Sequence, residues 1–161
     1  DSDPIDEARR QWVAHGWDGA ADGMAAVTSV FRAQQILLQR IDAVLRPLDL
    51  TFARYEILTL LSFTKQGALP MTRMGTLLQV HPTSVTSAVD RLEAQGFVER
   101  QPHPTDRRAV LASITAGGRA RSLEATTALN ADVFTRLGIS AAQTTQLRSV
   151  LRALRSNAGD F

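Results

Sequence analysis

The sequence predicts a mainly α-helical fold that carries one small β-hairpin. Three observations predict it. Apolar residues recur every three or four positions along most of the 161 residues, the spacing of one helix face. Only between Phe97 and Ile114 does the period fall to that of a strand. Just before that change, two short helical stretches flank a tight break at Val80-His81-Pro82.

Asp3-Pro4 opens the first helix, because Asp caps and Pro suits the first helical position. Ile5, Ala8 and Trp12 follow at helical spacing, and Gly16 closes it. Gly16 to Gly23 reads as a linker. Met24, Val27, Phe31, Leu38, Ile41, Leu45 and Leu48 mark a long amphipathic helix ending near Pro47. Thr51 caps the next helix, whose Phe52, Tyr55, Ile57, Leu58, Leu60 and Leu61 leave it apolar on most sides and so buried. Lys65 to Pro70 reads as a loop.

Met71, Met74, Leu77 and Leu78 mark a short helix. Pro82 starts another, with Val85, Ala88, Val89 and Leu92 as its inner face and Gly96 as a left-handed cap. Phe97 to Gln101 and Ala109 to Ile114 read as strands joined by a turn at Pro102 to Asp106. Thr115 caps a long helix through Leu123, Thr126, Val133 and Leu137 that ends at Gly138. Ser140-Ala141-Ala142-Gln143 is a capping box, and Leu147, Val150, Leu151 and Leu154 line one face of the last helix. A short helix, a tight turn and a second short helix form a helix-turn-helix, here followed by a hairpin wing. The fold class is therefore a winged helix-turn-helix with N- and C-terminal helices forming a dimerisation domain.

Dimerisation follows from the helical ends. Residues 116–137 alone would reach about 33 Å at 1.5 Å per residue, too extended for a core of this size. A second copy supplies the missing cover with two-fold symmetry. The chain then divides into a front helix and linker (1–22), dimerisation helices (23–50 and 116–161) and the winged unit (51–115).

Composition narrows the function. No run of 18 apolar residues is present, so no membrane partner is expected. Asp1 to Arg10 is acidic and mixed, unlike a secretory signal, and the expectation is a cytoplasmic protein. The absence of cysteine removes disulfides, thiolate metal sites and thiol redox sensing. Residues 1–22 hold six acids and two bases, leaving 16 bases against 10 acids in the remainder. Of the 18 basic residues 17 are Arg, whose fork suits phosphates and base edges; a coding preference for Arg would produce the same skew.

The helix from Pro82 presents Thr83, Ser84, Thr86, Ser87, Asp90 and Arg91 on its outer face. Small hydroxyl side chains fit where a helix enters a major groove about 12 Å wide. Arg91, two turns on, can reach a guanine edge or a phosphate, and the helix N-terminus offers its N–H groups to a phosphate. A plain solvated face usually carries Glu and Lys instead. His81 reads as a turn residue, with a phosphate contact as the lesser option. Thr72 and Arg73, on the preceding helix, complete this side of the candidate set. At the wing, Arg107 and Arg108 suit a minor groove, while Asp106 braces an arginine or the turn backbone.

Residues Thr51 to Gly118 resemble the winged-helix core of the MarR family of bacterial regulators. The likeness is carried by His81 to Arg100 and by Asp106 to Gly118, with an Asp-x-Arg wing (Asp106, Arg108), an apolar strand and Thr-x-x-Gly (Thr115, Gly118). With the flanking helices it spans residues 24–158. It implies a homodimer, pseudo-palindromic double-stranded DNA, and repression relieved by a small ligand. The front helix resembles the added N-terminal helix of the urate-responsive members. Trp12 matches a Trp that lines a pocket there, Arg100 matches one pocket arginine, and Glu56 replaces an Asp. The second pocket arginine would fall at Ala88.

The expected effector is small and anionic or aromatic, with Trp12 as an apolar wall and Arg100 as a charge-assisted contact. Trp12 as packing, with residues 1–22 only extending the dimer interface, stays open. The three histidines are scattered, so no metal is expected. No nucleophile elbow, phosphate loop or zinc motif is present, so neither an enzyme nor a cofactor is expected. The competing reading, a protein-interaction module without specific DNA binding, should lack the hydroxyl face and Arg wing that this sequence has.

Overall fold

The computed structural model describes residues 2–78 and 82–161. Val80 and His81 lie outside them. Helix α1 (Pro4–Ala14) and helix α2 (Asp18–Leu45) form a hairpin, followed by a 3-10 turn (Arg46–Leu48) and α3 (Phe52–Phe63). Strand β1 (Ala68–Pro70) leads into α4 (Met71–Leu78) and α5 (Pro82–Ala94). Strands β2 (Val98–Pro102) and β3 (Val110–Ile114) make the wing. Helix α6 (Ala116–Leu129) passes into a π turn (Asn130–Phe134), and α7 (Ala141–Asn157) completes the chain.

Local chemistry accounts for most element ends. The Asp3 side chain accepts from the Ile5 N–H at 2.9 Å, Thr51 from Arg54 at 3.3 Å and Thr115 from Gly118 at 3.0 Å. The Ser140–Gln143 capping box closes in both directions. Gly96 takes φ +78° after α5, a left-handed value that favours glycine. A Cβ on Gly118 would stand 2.2 Å from the Phe97 carbonyl oxygen. Thr-x-x-Gly thus has a local reason: Thr caps α6 while Gly lets its first turn pass the base of the wing.

Four expectations change. The stretch read as a linker from Gly16 to Gly23 is a turn followed by the first turns of α2. Gly19 and Gly23 disfavour a helix by about 1 kcal/mol each relative to Ala, but α1 packs along this stretch. Ala21 is buried there, and Arg9 pairs with Asp22 at 2.7 Å. The expected loop from Lys65 to Pro70 contains β1, whose Ala68, Leu69 and Pro70 pair antiparallel with Ser113, Ala112 and Leu111. The sheet order is β1-β3-β2.

The wing strands begin one residue later than expected, because the Phe97 N–H closes α5 on the Leu92 carbonyl at 2.9 Å. The long helix expected to reach Gly138 stays regular only to Leu129. Beyond it the Thr135 N–H bonds back five residues to Asn130, and its hydroxyl donates to the same carbonyl at 2.7 Å. The helical span of 116–134 is accordingly nearer 28 Å than 33 Å at the usual rise.

The core sits where the helices meet the sheet. Leu45, Leu58, Leu61, Met74, Val89, Leu92, Ala112 and Leu129 are fully buried. The helical ends differ. Among the described residues α7 buries none of its own, leaving Leu147, Val150 and Leu154 exposed. Val27, Val30 and Phe31 of α2 are also exposed.

Candidate nucleic-acid interface

Helix α5 divides by its period. Val85, Val89 and Leu92 are buried against α3, α4 and β2, and this burial turns Thr83, Ser84, Thr86, Ser87, Asp90 and Arg91 to the solvent. Pro82, exposed at the first position of α5, starts the helix as expected. The Thr86 hydroxyl donates to the Pro82 carbonyl at 3.1 Å, which leaves its oxygen available as an acceptor. On α4, Thr72 and Arg73 are exposed beside buried Met74 and Gly75. His81 was placed in this set from the sequence and lies outside the described residues.

The wing tip is built by two side chains. Asp106 accepts from the Arg108 N–H at 2.9 Å, so of its two expected roles it takes the backbone one. His103 contributes what the sequence did not suggest: its Nδ1 accepts from the N–H groups of Thr105 (3.2 Å) and Asp106 (3.0 Å). These bonds stiffen the turn, which leaves Arg107 and Arg108 exposed at its end. Between the wing and the helices runs a cleft of about 280 Å³ lined by Thr72, Thr86, Arg100 and Arg108, with Met71, Ala109 and Val110. One member of each group thus lines this cleft: Thr86 of the hydroxyl face, Thr72 of the α4 pair and Arg108 of the wing arginines.

Arg54 adds a cation that the sequence reading missed. It donates to the Asp49 carbonyl at 3.0 Å and to the Gln95 side chain at 2.7 Å. Burial first, and the charge of Arg91 second, lower its pKa. Two guanidinium groups therefore share the C-terminal side of α5. No periodic signal could have paired residues 41 positions apart in the chain.

The three expected ligand residues occupy separate settings. Trp12 meets Trp17 edge-on with ring centroids 5.3 Å apart, and Trp17 in turn stacks on His15 at 5.2 Å. Glu56, on α3, is exposed along one edge, yet burial of the remainder raises its carboxyl pKa. Arg100, on β2, binds Asp90 and Glu93 of α5. A different cleft of about 230 Å³ opens between α3 and α6, lined by Thr59, Ser62, Ser122 and Thr126 hydroxyls and by Arg119, Phe63 and Leu123. The Thr59 hydroxyl is buried there without a hydrogen-bond partner.

The family model described as MarR family matches residues 50–110. Over 76 residues the chain is 37% identical to the multiple antibiotic resistance protein MarR of Escherichia coli K12, covering 47% of this chain and 51% of that protein. The match thus spans about half the length of that curated relative. A crystal structure of a MarR family transcriptional regulator from Streptomyces coelicolor is similar at TM-score 0.80 and 49% identity, covering 87% of this chain and 97% of that one. The structure of CouR from Rhodococcus jostii RHA1 bound to p-coumaroyl-CoA is similar at TM-score 0.67 and 25% identity, covering 78% and 87%.

Proposed function

Because this chain belongs to the MarR family, we propose that it is a homodimeric, DNA-binding transcriptional regulator rather than an enzyme, working in the cytoplasm. It reads a pseudo-palindromic operator with α5 in the major groove and the wing at the adjacent minor groove, and it acts as a repressor released by a small anionic or aromatic ligand. The observation that carries the reading is the outer face of α5, hydroxyl-rich and Arg-bearing, set beside a stiffened wing that ends in two arginines. Hydroxyls and Arg serve both base edges and phosphates.

The exposed apolar faces of α2 and α7 support the dimer. Among the described residues no helix is long and apolar enough to cross a membrane. The p-coumaroyl-CoA held by CouR supports an aromatic, anionic effector class for this chain. Trp12, Glu56 and Arg100 remain the effector contacts in this proposal, and Arg100 would have to exchange its present carboxylate partners to serve. Ligand release requires a bound state whose recognition helices are misplaced and which the ligand prefers.

Binding-site selection from random duplexes by the purified full chain tests the DNA reading. Enrichment of one inverted repeat supports it; a pool that stays random after several rounds rejects it. Adding p-coumaroyl-CoA or salicylate to the complex then tests release.

A further inference from the structure

We propose that Arg100 is a positioning residue that locks the wing to the recognition helix, so that the hairpin and α5 meet DNA as one rigid unit. The inference rests on the DNA-reading role above. Val98 and Arg100 fall on the same face of β2, and Arg100 lies opposite Ala112 of β3. Val98 and Ala112 are buried. The next position outward on that face would continue the core with an apolar residue, and Arg100 stands there instead. Beyond it Gln101 and Pro102 are exposed, so Arg100 marks the margin of the packed part of the hairpin.

Its partners both belong to α5. One guanidinium nitrogen donates to Glu93 Oε1 at 2.9 Å and another to Asp90 Oδ1. The Arg100 backbone N–H donates to Glu93 Oε2 at 3.1 Å. Both oxygens of Glu93 are thus spent on a single residue of the wing. Asp90 and Glu93 are three apart and share one side of the helix, which lets one planar fork span both carboxylates, as a lysine point charge could not. Burial works against the Arg100 cation, but its hydrogen bonds to Asp90 and Glu93 outweigh that and raise its pKa. The same pairing neutralises carboxylates that would otherwise stand unpaired beside the phosphates.

The geometry makes this anchor a fulcrum. At about 3.3 Å per residue, the tip stands on the order of 15 Å beyond Arg100. A tilt of about 10° at the anchor would move Arg107 and Arg108 by about 2–3 Å, close to the length of a hydrogen bond. Locking the tilt fixes the spacing between minor-groove and major-groove contacts. It should therefore matter most on the operator, where both must fit together.

The test compares the unaltered chain with Arg100→Gln, Arg100→Lys and the neutral triple variant Asp90→Asn/Glu93→Gln/Arg100→Gln. Amide hydrogen exchange of the free protein reads the wing. Titrations of the selected operator and of a random duplex, across a salt series, read the function. Arg100→Gln should speed exchange at residues 98–102 and 110–114. It should also lower operator affinity on the order of tenfold, lower random-duplex affinity less, and leave the salt slope in place. Arg100→Lys should restore part of both. The triple variant should keep the loss, although no carboxylate remains to repel DNA.

Unchanged exchange in Arg100→Gln overturns the proposal. So does recovery of affinity in the triple variant, which would mean repulsion alone. Equal losses on both duplexes with a slope reduced by about 0.9 would mean a direct phosphate contact and would overturn it too. If the wild-type chain selects no duplex, the DNA-reading role fails, and the exchange measurement still decides the anchor.

Discussion

From α3 to β3 most large apolar side chains are covered within the chain, with Phe63, Leu77 and Val110 as exposed exceptions, whereas α7 buries none of its residues and holds Val150 and Leu154 more than half exposed. In the first region the buried face of α5 meets α3, α4 and β2, and the exposed face is hydroxyl and guanidinium. In the second, α2 and α7 present apolar residues with no cover from their own chain. The contrast separates two jobs. One region is largely covered within the chain and offers polar chemistry outward; the other carries the exposed apolar faces that the proposed second copy would cover. The same contrast predicts which substitutions act on assembly and which on stability or DNA binding.

The largest effect should come from breaking the uncovered region. Val150→Asp with Leu154→Asp places two charges in the face assigned to the partner. Sedimentation should show a monomer, and operator affinity should fall by about 10²-fold or more, because a single winged unit loses the gain of paired half-sites. The fold of one chain should survive, since neither residue is buried within it. A stable dimer in this variant would move the interface elsewhere.

Next in size is the covered region. Leu92→Ala removes a fully buried side chain and should lower stability by about 2–5 kcal/mol, read as a drop in the urea midpoint. A drop of only a few tenths would mean that α5 is not held by its inner face. Smaller again is the wing. Arg107→Ala with Arg108→Ala should leave stability and dimerisation unchanged and weaken operator and random DNA alike. The salt slope should flatten by about 0.9 for each phosphate no longer neutralised. The smallest effect is at a helix end: Ser140→Ala should cost about 1 kcal/mol through removal of the α7 cap, seen in thermal unfolding.

What could be read from the sequence follows the range of the interactions. Caps at Asp3, Thr51, Thr115 and Ser140 are legible because donor and acceptor lie within three residues. The two faces of α5 are legible because burial on one side imposes a period on the other. Strand β1 is not, since its three residues gain their form from Leu111, Ala112 and Ser113 across the sheet. The start of α2 is hidden by two glycines whose helix cost is offset by packing against α1. At the candidate interface, the exposed Thr, Ser and Arg set is visible in sequence, but the Arg100 partners are not. Asp90 and Glu93 become its neighbours only because Gly96 turns the chain back. Arg54 beside Arg91 is hidden because only the packing of α3 against α5 brings the two together.

In the proposed regulator one region reads a half-site and the other pairs two of them. Sedimentation of the full chain on its selected duplex, combined with backbone cleavage of the complex, tests this most directly. Two chains per duplex are expected, with two protected half-sites whose centres lie about 34 Å apart, one helical turn. A single chain bound to one protected half-site, with the affinity of the full complex, would contradict it.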